Sequence, residues 1–235
     1  MDERKEKILK IVVEDFIKDR RSISSCYIEK NYNLGIGAAT IRNEMARLMK
    51  EGYLVQPHIS GGRIPTQRGY QYFIENLCKF SISQALEKKL QEILKQSLQR
   101  KSYVSLLEFL SETTSNLAVL RLKELCFLEG LDELFSLSDF QEKKEMILAM
   151  EFIEGLLTSD CLFQIRGDSI QIYIGEDIPE LGEHSKNFSF ICSPWAESGF
   201  LGIFGPIRMD YSKNISILEK IRDLILEQGL VENNI

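Results

Sequence analysis

Residues 38 to 70, "AATIRNEMARLMKEGYLVQPHISGGRIPTQRGY", set a helical pattern directly against a hairpin pattern, and few folds accommodate that junction. In the first part Ile41, Met45 and Leu48 recur at i, i+4 and i+7, the spacing of one buried stripe, and Gly52 stands where a C-terminal cap belongs. In the second part Tyr53, Val55 and Pro57 lead up to Ser60, Gly61 and Gly62, and Arg63 and Ile64 lead away. That is the pattern of a β-hairpin whose glycines supply the positive φ of a tight turn. Thr66 then starts a further helix with Tyr70, Phe73, Ile74 and Leu77 inward.

Upstream, "KEKILKIVVEDFIKDR" carries Ile8, Leu9, Val12, Val13, Phe16 and Ile17 at helical spacing and leaves Lys7, Lys10, Glu14, Asp15 and Lys18 outward. Ser24 caps a short second helix through "SCYIEKNY", with Cys26, Ile28 and Tyr32 inward, and "NLGIGAAT" makes a glycine-marked turn. Helix, short helix, glycine turn, third helix and hairpin, in that order, spell a winged helix-turn-helix over residues 1–78. At about 100° per residue, Ala39, Asn43, Ala46 and Lys50 lie opposite the buried stripe of the third helix, with Thr40, Arg42 and Arg47 on its flanks. Charged residues on an outer face are usually only a solvated surface. Here the face is small or polar at its start and basic at its edges, which suits entry into a DNA major groove. Thr40, Arg42 and Asn43 are the candidates for base edges, with Ala39 beside them. Arg47, Lys50 and Arg63 are the candidates for phosphates, Gly61 and Gly62 shape the hairpin tip, and His58 and Ser60 contribute neutral contacts.

Charge supports the same division. The chain is net −6, yet residues 1–75 hold 13 Lys and Arg against 10 Asp and Glu, net +3, which leaves 16 against 25, net −9, for residues 76–235. A weakly basic head on an acidic body fits a protein whose head alone meets a polyanion. A charged N-terminus and the lack of any long uncharged apolar run point to the cytosol and away from membranes. The five cysteines, Cys26, Cys78, Cys126, Cys161 and Cys192, form no C-x-x-C pair and read as small core hydrophobes.

Residues 79–235 read as a second domain of α+β class with an antiparallel-rich sheet. A helix starts at Ser83 with Leu86, Leu90, Ile93, Leu94 and Leu98, and "YVSLLEFLSETTSNLAVL" continues at helical spacing through Leu106, Leu107, Leu110 and Leu117. "FQEKKEMILAMEFIEGLLTS" is another helix. The period then changes to a hairpin through Phe163 and Ile165, turning at Gly167-Asp168 and returning through Ile170, Ile172 and Ile174. "FSFICSPW" and "GFLGIFGP" add two strands, and "KNISILEKIRDLILEQGL" closes as a helix, giving roughly four strands in all. Catalysis and cofactors are not expected. His58 and His184 lack metal-ligand spacing, no nucleophile or phosphate-loop motif occurs, and Glu176, Asp177 and Asp210 read as turn and cap residues, with an Arg208–Asp210 ion pair.

The segment "ATIRNEMARLMKEGYLVQPHISGGRIPTQRGY" resembles the heat-inducible transcription repressor HrcA family, with Gly61 where that family usually has alanine. "IQIYIGEDIPE" and "GFLGIFGPIRMDY" are similar to two further segments of the family, and "LEGLDELFSLSDF" to a third. The resemblance implies a homodimeric repressor of chaperone genes that binds an inverted-repeat operator, the CIRCE element, and is relieved on heat shock. It also implies a reduced GAF-like regulatory and dimerisation domain over 79–235 and a GroEL-type chaperonin partner. The loss relative to the family falls between residues 115–125 and "CFLEGLDELF", where sheet strands and the inserted dimerising domain are expected to be missing. Two other readings use the same residues: a small-molecule sensor with a winged-helix head, and a dimer-deficient paralogue acting as an interaction protein.

Overall fold

The computed structural model describes residues 1–58, 61–158, 169–178, 185–195 and 199–227. Ser60, Cys161, His184 and the hairpin half carrying Phe163, Ile165, Gly167 and Asp168 lie outside them. The chain divides into two compact units, Met1–Lys79 and Phe80–Ile235.

In the first unit α1 (Glu3–Asp19) begins at Asp2, whose carboxylate accepts the Lys5 N–H at 3.0 Å, and stops at Arg20, which is left-handed at φ 55°. Ser24 caps α2 (Ser25–Asn31) through the Tyr27 N–H. α3 (Ala38–Lys50) buries Ile41, Met45 and Leu48 as the spacing requires, and Gly52 follows it at φ +82°. The antiparallel pair β1 (Leu54–Val55) and β2 (Ile64–Pro65) leads into α4 (Gln67–Asn76), which Thr66 caps. Two inward and outward assignments reverse. Asp15 is buried, because Tyr32 donates to its Oδ1 at 2.6 Å and brings it into the unit, and Cys26 is exposed on α2. Burial and that bond to Asp15 push the Tyr32 phenol pKa up. Tyr72 of α4 donates to Glu6 of α1 at 2.6 Å, and the carboxylate and partial burial push its phenol up to about 12.

The second unit is α+β with an antiparallel sheet. α5 (Gln84–Arg100) and α6 (Val104–Thr114) come first, then the hairpin β3 (Leu117–Leu122) and β4 (Leu125–Glu129). α7 (Leu131–Ser136), α8 (Lys143–Leu157), β5 (Gln171–Ile174), β6 (Phe188–Trp195), β7 (Gly199–Pro206) and α9 (Tyr211–Glu227) follow. The described strands run in the order β4-β3-β7-β6-β5, all antiparallel. Leu117 and Val119 alternate with Ala118 and Leu120, so β3 is buried on both faces. One face packs Leu117, Val119, Phe188, Phe190, Phe200 and Phe204 against Leu148, Phe152 and Leu156 of α8. On the other, Ser189 meets the hydroxyl of the fully buried Tyr211 of α9 at 2.7 Å.

Three expectations fail in this unit. Helical spacing was expected to run through Leu117, yet Ser115 turns left-handed at φ 53° and the chain emerges as a strand. The residues that follow form the β3–β4 hairpin, closed by the two residues between the Leu122–Leu125 pair. The described sheet therefore has five strands where roughly four were expected. Arg208 grips Asp139 through Nε at 3.0 Å and a second nitrogen at 2.6 Å, while Asp210 caps α9 through the Lys213 N–H, so the ion pair formed is not the one its sequence neighbour promised. Glu176 and Asp177 sit in a short 3-10 turn after β5, in keeping with their reading as turn residues. Buried Arg121 donates to the Leu156 carbonyl at 2.6 Å, satisfying the end of α8 from the sheet face on which that helix packs.

Candidate nucleic-acid interface

α3 presents its outer face because its inner one is anchored. With Ile41, Met45 and Leu48 buried, Ala39, Arg42, Asn43, Ala46, Arg47 and Lys50 are exposed and Thr40 is half-buried. The helix starts at Gly37, which has no side chain to cap it. Glu29 of α2 supplies the missing acceptor, taking the Ala38 N–H on Oε1 at 2.8 Å. That bond fixes the angle between α2 and α3 and places a carboxylate at the positive end of the α3 dipole.

Arg47 is aligned by a neighbour that periodicity left unremarked. Glu44 is buried between the stripe and Arg4, and it accepts from Arg47 Nη1 at 3.1 and 3.3 Å. The Arg47 side chain is still 64% exposed, so the pair orients the guanidinium without withdrawing it. Arg42 and Lys50 extend from the same exposed face.

The hairpin is pinned beside its glycines. Ile23, between α1 and α2, exchanges both main-chain bonds with Arg63, at 2.9 and 2.8 Å, and Ser22 Oγ accepts the Gly62 N–H at 3.2 Å. A Cβ on Gly62 would stand 2.5 Å from the Ile23 carbonyl carbon and oxygen. Gly62 does not have positive φ, so close approach, and not turn conformation, is what demands glycine there. Gly61 donates its N–H to the His58 carbonyl at 2.9 Å, and the His58 side chain is exposed. Arg63 is half-buried. Its Nη1 donates to the carbonyls of Gly61 and Gly62 at 3.2 and 3.4 Å and its Nε meets the Met49 sulfur, so it ties the hairpin to the last turn of α3.

The structure thus gathers Ala39, Thr40, Arg42, Asn43, Arg47 and Lys50 along one helix and joins Gly61, Gly62 and Arg63 to that helix's end. Ser22, Ile23, Glu29 and Glu44 complete the arrangement. Their contributions run through partners distant in sequence or through a buried charge, and no local pattern announces either. Among the described residues no group of three or more His, Cys, Asp or Glu is placed to hold a metal, and no helix is long and apolar enough to cross a membrane.

Similarity in other proteins covers both units. A protein from Bifidobacterium longum strain DJO10A is 40% identical over 119 residues, which is 48% of this chain and 31% of its own length. One from Pelotomaculum thermopropionicum is 43% identical over 101 residues, and one from Desulforudis audaxviator 53% over 77, covering 28% and 22% of their lengths. The aligned stretches thus span less than a third of these curated relatives. A solved structure titled only as that of a hypothetical protein shares the fold, with a TM-score of 0.74 over 97% of this chain and 98% of its own at 17% identity. The three sequence relatives are transcription repressors, each named heat-inducible transcription repressor HrcA. Residues 66–215 match the family described as HrcA protein C terminal domain, and the chain belongs to that family.

Proposed function

We propose that this chain is a DNA-binding transcription repressor of heat-inducible chaperone genes. Its first unit is a winged helix-turn-helix and its second a reduced GAF-like regulatory domain. The observation that carries the reading is the exposed face of α3, bearing Arg42, Asn43, Arg47 and Lys50 beside a glycine-tipped hairpin pinned to the same unit. A helix of this size with small residues at its start fits the major groove, while the hairpin follows the adjacent backbone. The chain acts as a homodimer on an inverted-repeat operator of CIRCE type in the cytoplasm. Heat relieves repression when a GroEL-type chaperonin no longer supports the active conformation.

The test is a titration of the purified chain, at fixed salt, against a labelled duplex with the CIRCE inverted repeat and against a half-site, with and without chaperonin. Preference for the full repeat, rising with chaperonin, is expected; equal binding to both in each condition would refute the reading. Arg42→Ala is expected to cost about 1–3 kcal/mol on the operator and to relax sequence preference. Arg63→Ala is expected to weaken all duplexes alike and to flatten the salt dependence by about one counterion. Equal losses on operator and random DNA for Arg42→Ala would remove it from the base-reading set.

A further inference from the structure

α8 buries one side against the sheet through Leu148, Ala149, Phe152, Ile153 and Leu156, yet its other side is not the polar surface such a helix usually shows. Met146, Ile147, Met150 and Leu157 are 40, 47, 39 and 51% exposed. At about 100° per residue, Met146, Met150 and Leu157 fall within about 40° of one another, and Ile147 flanks them. The charges on this side are sorted along the helix. Lys143 and Lys144 stand at the start, Glu151 and Glu154 toward the end, all four exposed, and none makes an ion pair among the described residues.

We propose that this face of α8 pairs antiparallel with the same face of a second copy of the chain. Sorted charge is what selects that occupant. With the two-fold axis near Leu148 and Ala149, Lys143 and Lys144 of one copy lie against Glu154 and Glu151 of the other, and the contact repeats by symmetry. Met146, Ile147 and Met150 meet their counterparts between the two charged zones, with Met150 near the axis, where its unbranched side chain adapts to its counterpart, and Leu157 extends the apolar strip past Glu154. Antiparallel pairing also sets opposite helix ends side by side. A parallel pairing would face lysine with lysine and glutamate with glutamate.

The seam is short. Fifteen residues make a helix about 22 Å long. One such crossing buries less than the roughly 800 Å² per partner of a standard interface. Association is therefore weak in free solution and is strengthened on DNA, where two adjacent half-sites hold the copies at high effective concentration. This deepens the proposed homodimer by giving it a surface. It is tested without DNA, so that its failure is separate from failure of the operator reading.

The experiment is sedimentation equilibrium on the full chain and on two charge variants, K143E/K144E and E151K/E154K. Glutamate at the helix start and lysine toward its end both suit the helix dipole, so both variants are expected to keep the wild-type far-ultraviolet circular dichroism and melting behaviour. The wild type is expected to associate reversibly to a dimer. Each variant alone, with like charges at both ends of the seam, is expected to associate at least about tenfold more weakly. An equimolar mixture of the two is expected to recover dimer as the heterodimer. A wild type that stays monomeric up to several hundred micromolar overturns the proposal and leaves the face to another protein. So does either variant dimerising like the wild type, or a mixture that behaves as the sum of its parts.

Discussion

Phe152→Ala is expected to lower the stability of the second unit by about 3–5 kcal/mol, the range for deleting a buried aromatic ring that leaves a cavity behind. Phe152 is the ring through which α8 holds the sheet. It stacks on Phe204 of β7 with centroids 4.2 Å apart and meets Phe190 of β6 edge-on at 5.5 Å. Both neighbours lie on central strands whose main chain cannot shift without breaking ladders on either side, so the void collapses only in part. Trp195, the sole tryptophan, is buried at the end of β6 and reports unfolding of this unit in a urea titration followed by fluorescence. A loss below about 1 kcal/mol would mean that the aromatic stack is not what holds α8 in place.

Gly62→Ala carries the second large effect, in the first unit. The added methyl would stand within 2.5 Å of the Ile23 main chain, which is backbone and not the end of a flexible side chain, so the hairpin must lift. Lifting breaks the two Ile23–Arg63 bonds and the Ser22–Gly62 bond. At about 1 kcal/mol for each of the three bonds, together with about 1–3 kcal/mol for overpacking, the expected cost is about 4–6 kcal/mol, less whatever the freed groups regain from water. Hydrogen exchange at the Ile23 and Arg63 amides reads the change directly. Gly61→Ala is the control, because the nearest atom its Cβ would meet is the His58 carbonyl oxygen at 3.2 Å, and a cost below about 1 kcal/mol is expected. Equal costs at the two glycines would show that close approach to Ile23 is not what selects glycine at 62.

These expectations draw on features of unequal visibility in the sequence. The exposed set on α3 was legible, because three buried positions at helical spacing define the opposite face without knowledge of what packs against them. α1, α4, α8 and α9 were legible for the same reason. β3 was not. "LAVL" follows a helix directly, and a four-residue apolar run reads equally as strand or as buried helix; the break lies in one left-handed serine, which carries no strong propensity for that conformation. Asp15 looked outward because carboxylates usually are, and its burial depends on the hydroxyl that Tyr32, seventeen positions later, brings to it. The guanidinium geometry of Arg47 and Arg63 depends on Glu44, Met49 and hairpin carbonyls, so the sequence could nominate those arginines but not say how they are held.

The order of strands in the sheet also has a consequence for the chain while it is being made. The first unit is a compact unit of Met1–Lys79, closed by the Ile23–Arg63 bridge, and its sequence is complete early in synthesis. The sheet is different. Leu117–Leu122 pairs on one side with its own hairpin and on the other with Gly199–Phe204, so the central ladder waits for almost the whole second unit to be translated. At about 5–20 residues per second that delay lasts several seconds, during which one edge of an almost wholly apolar strand has no native neighbour. The nascent molecule is a finished head trailing an aggregation-prone half-sheet, and arrival of β7 closes that interval.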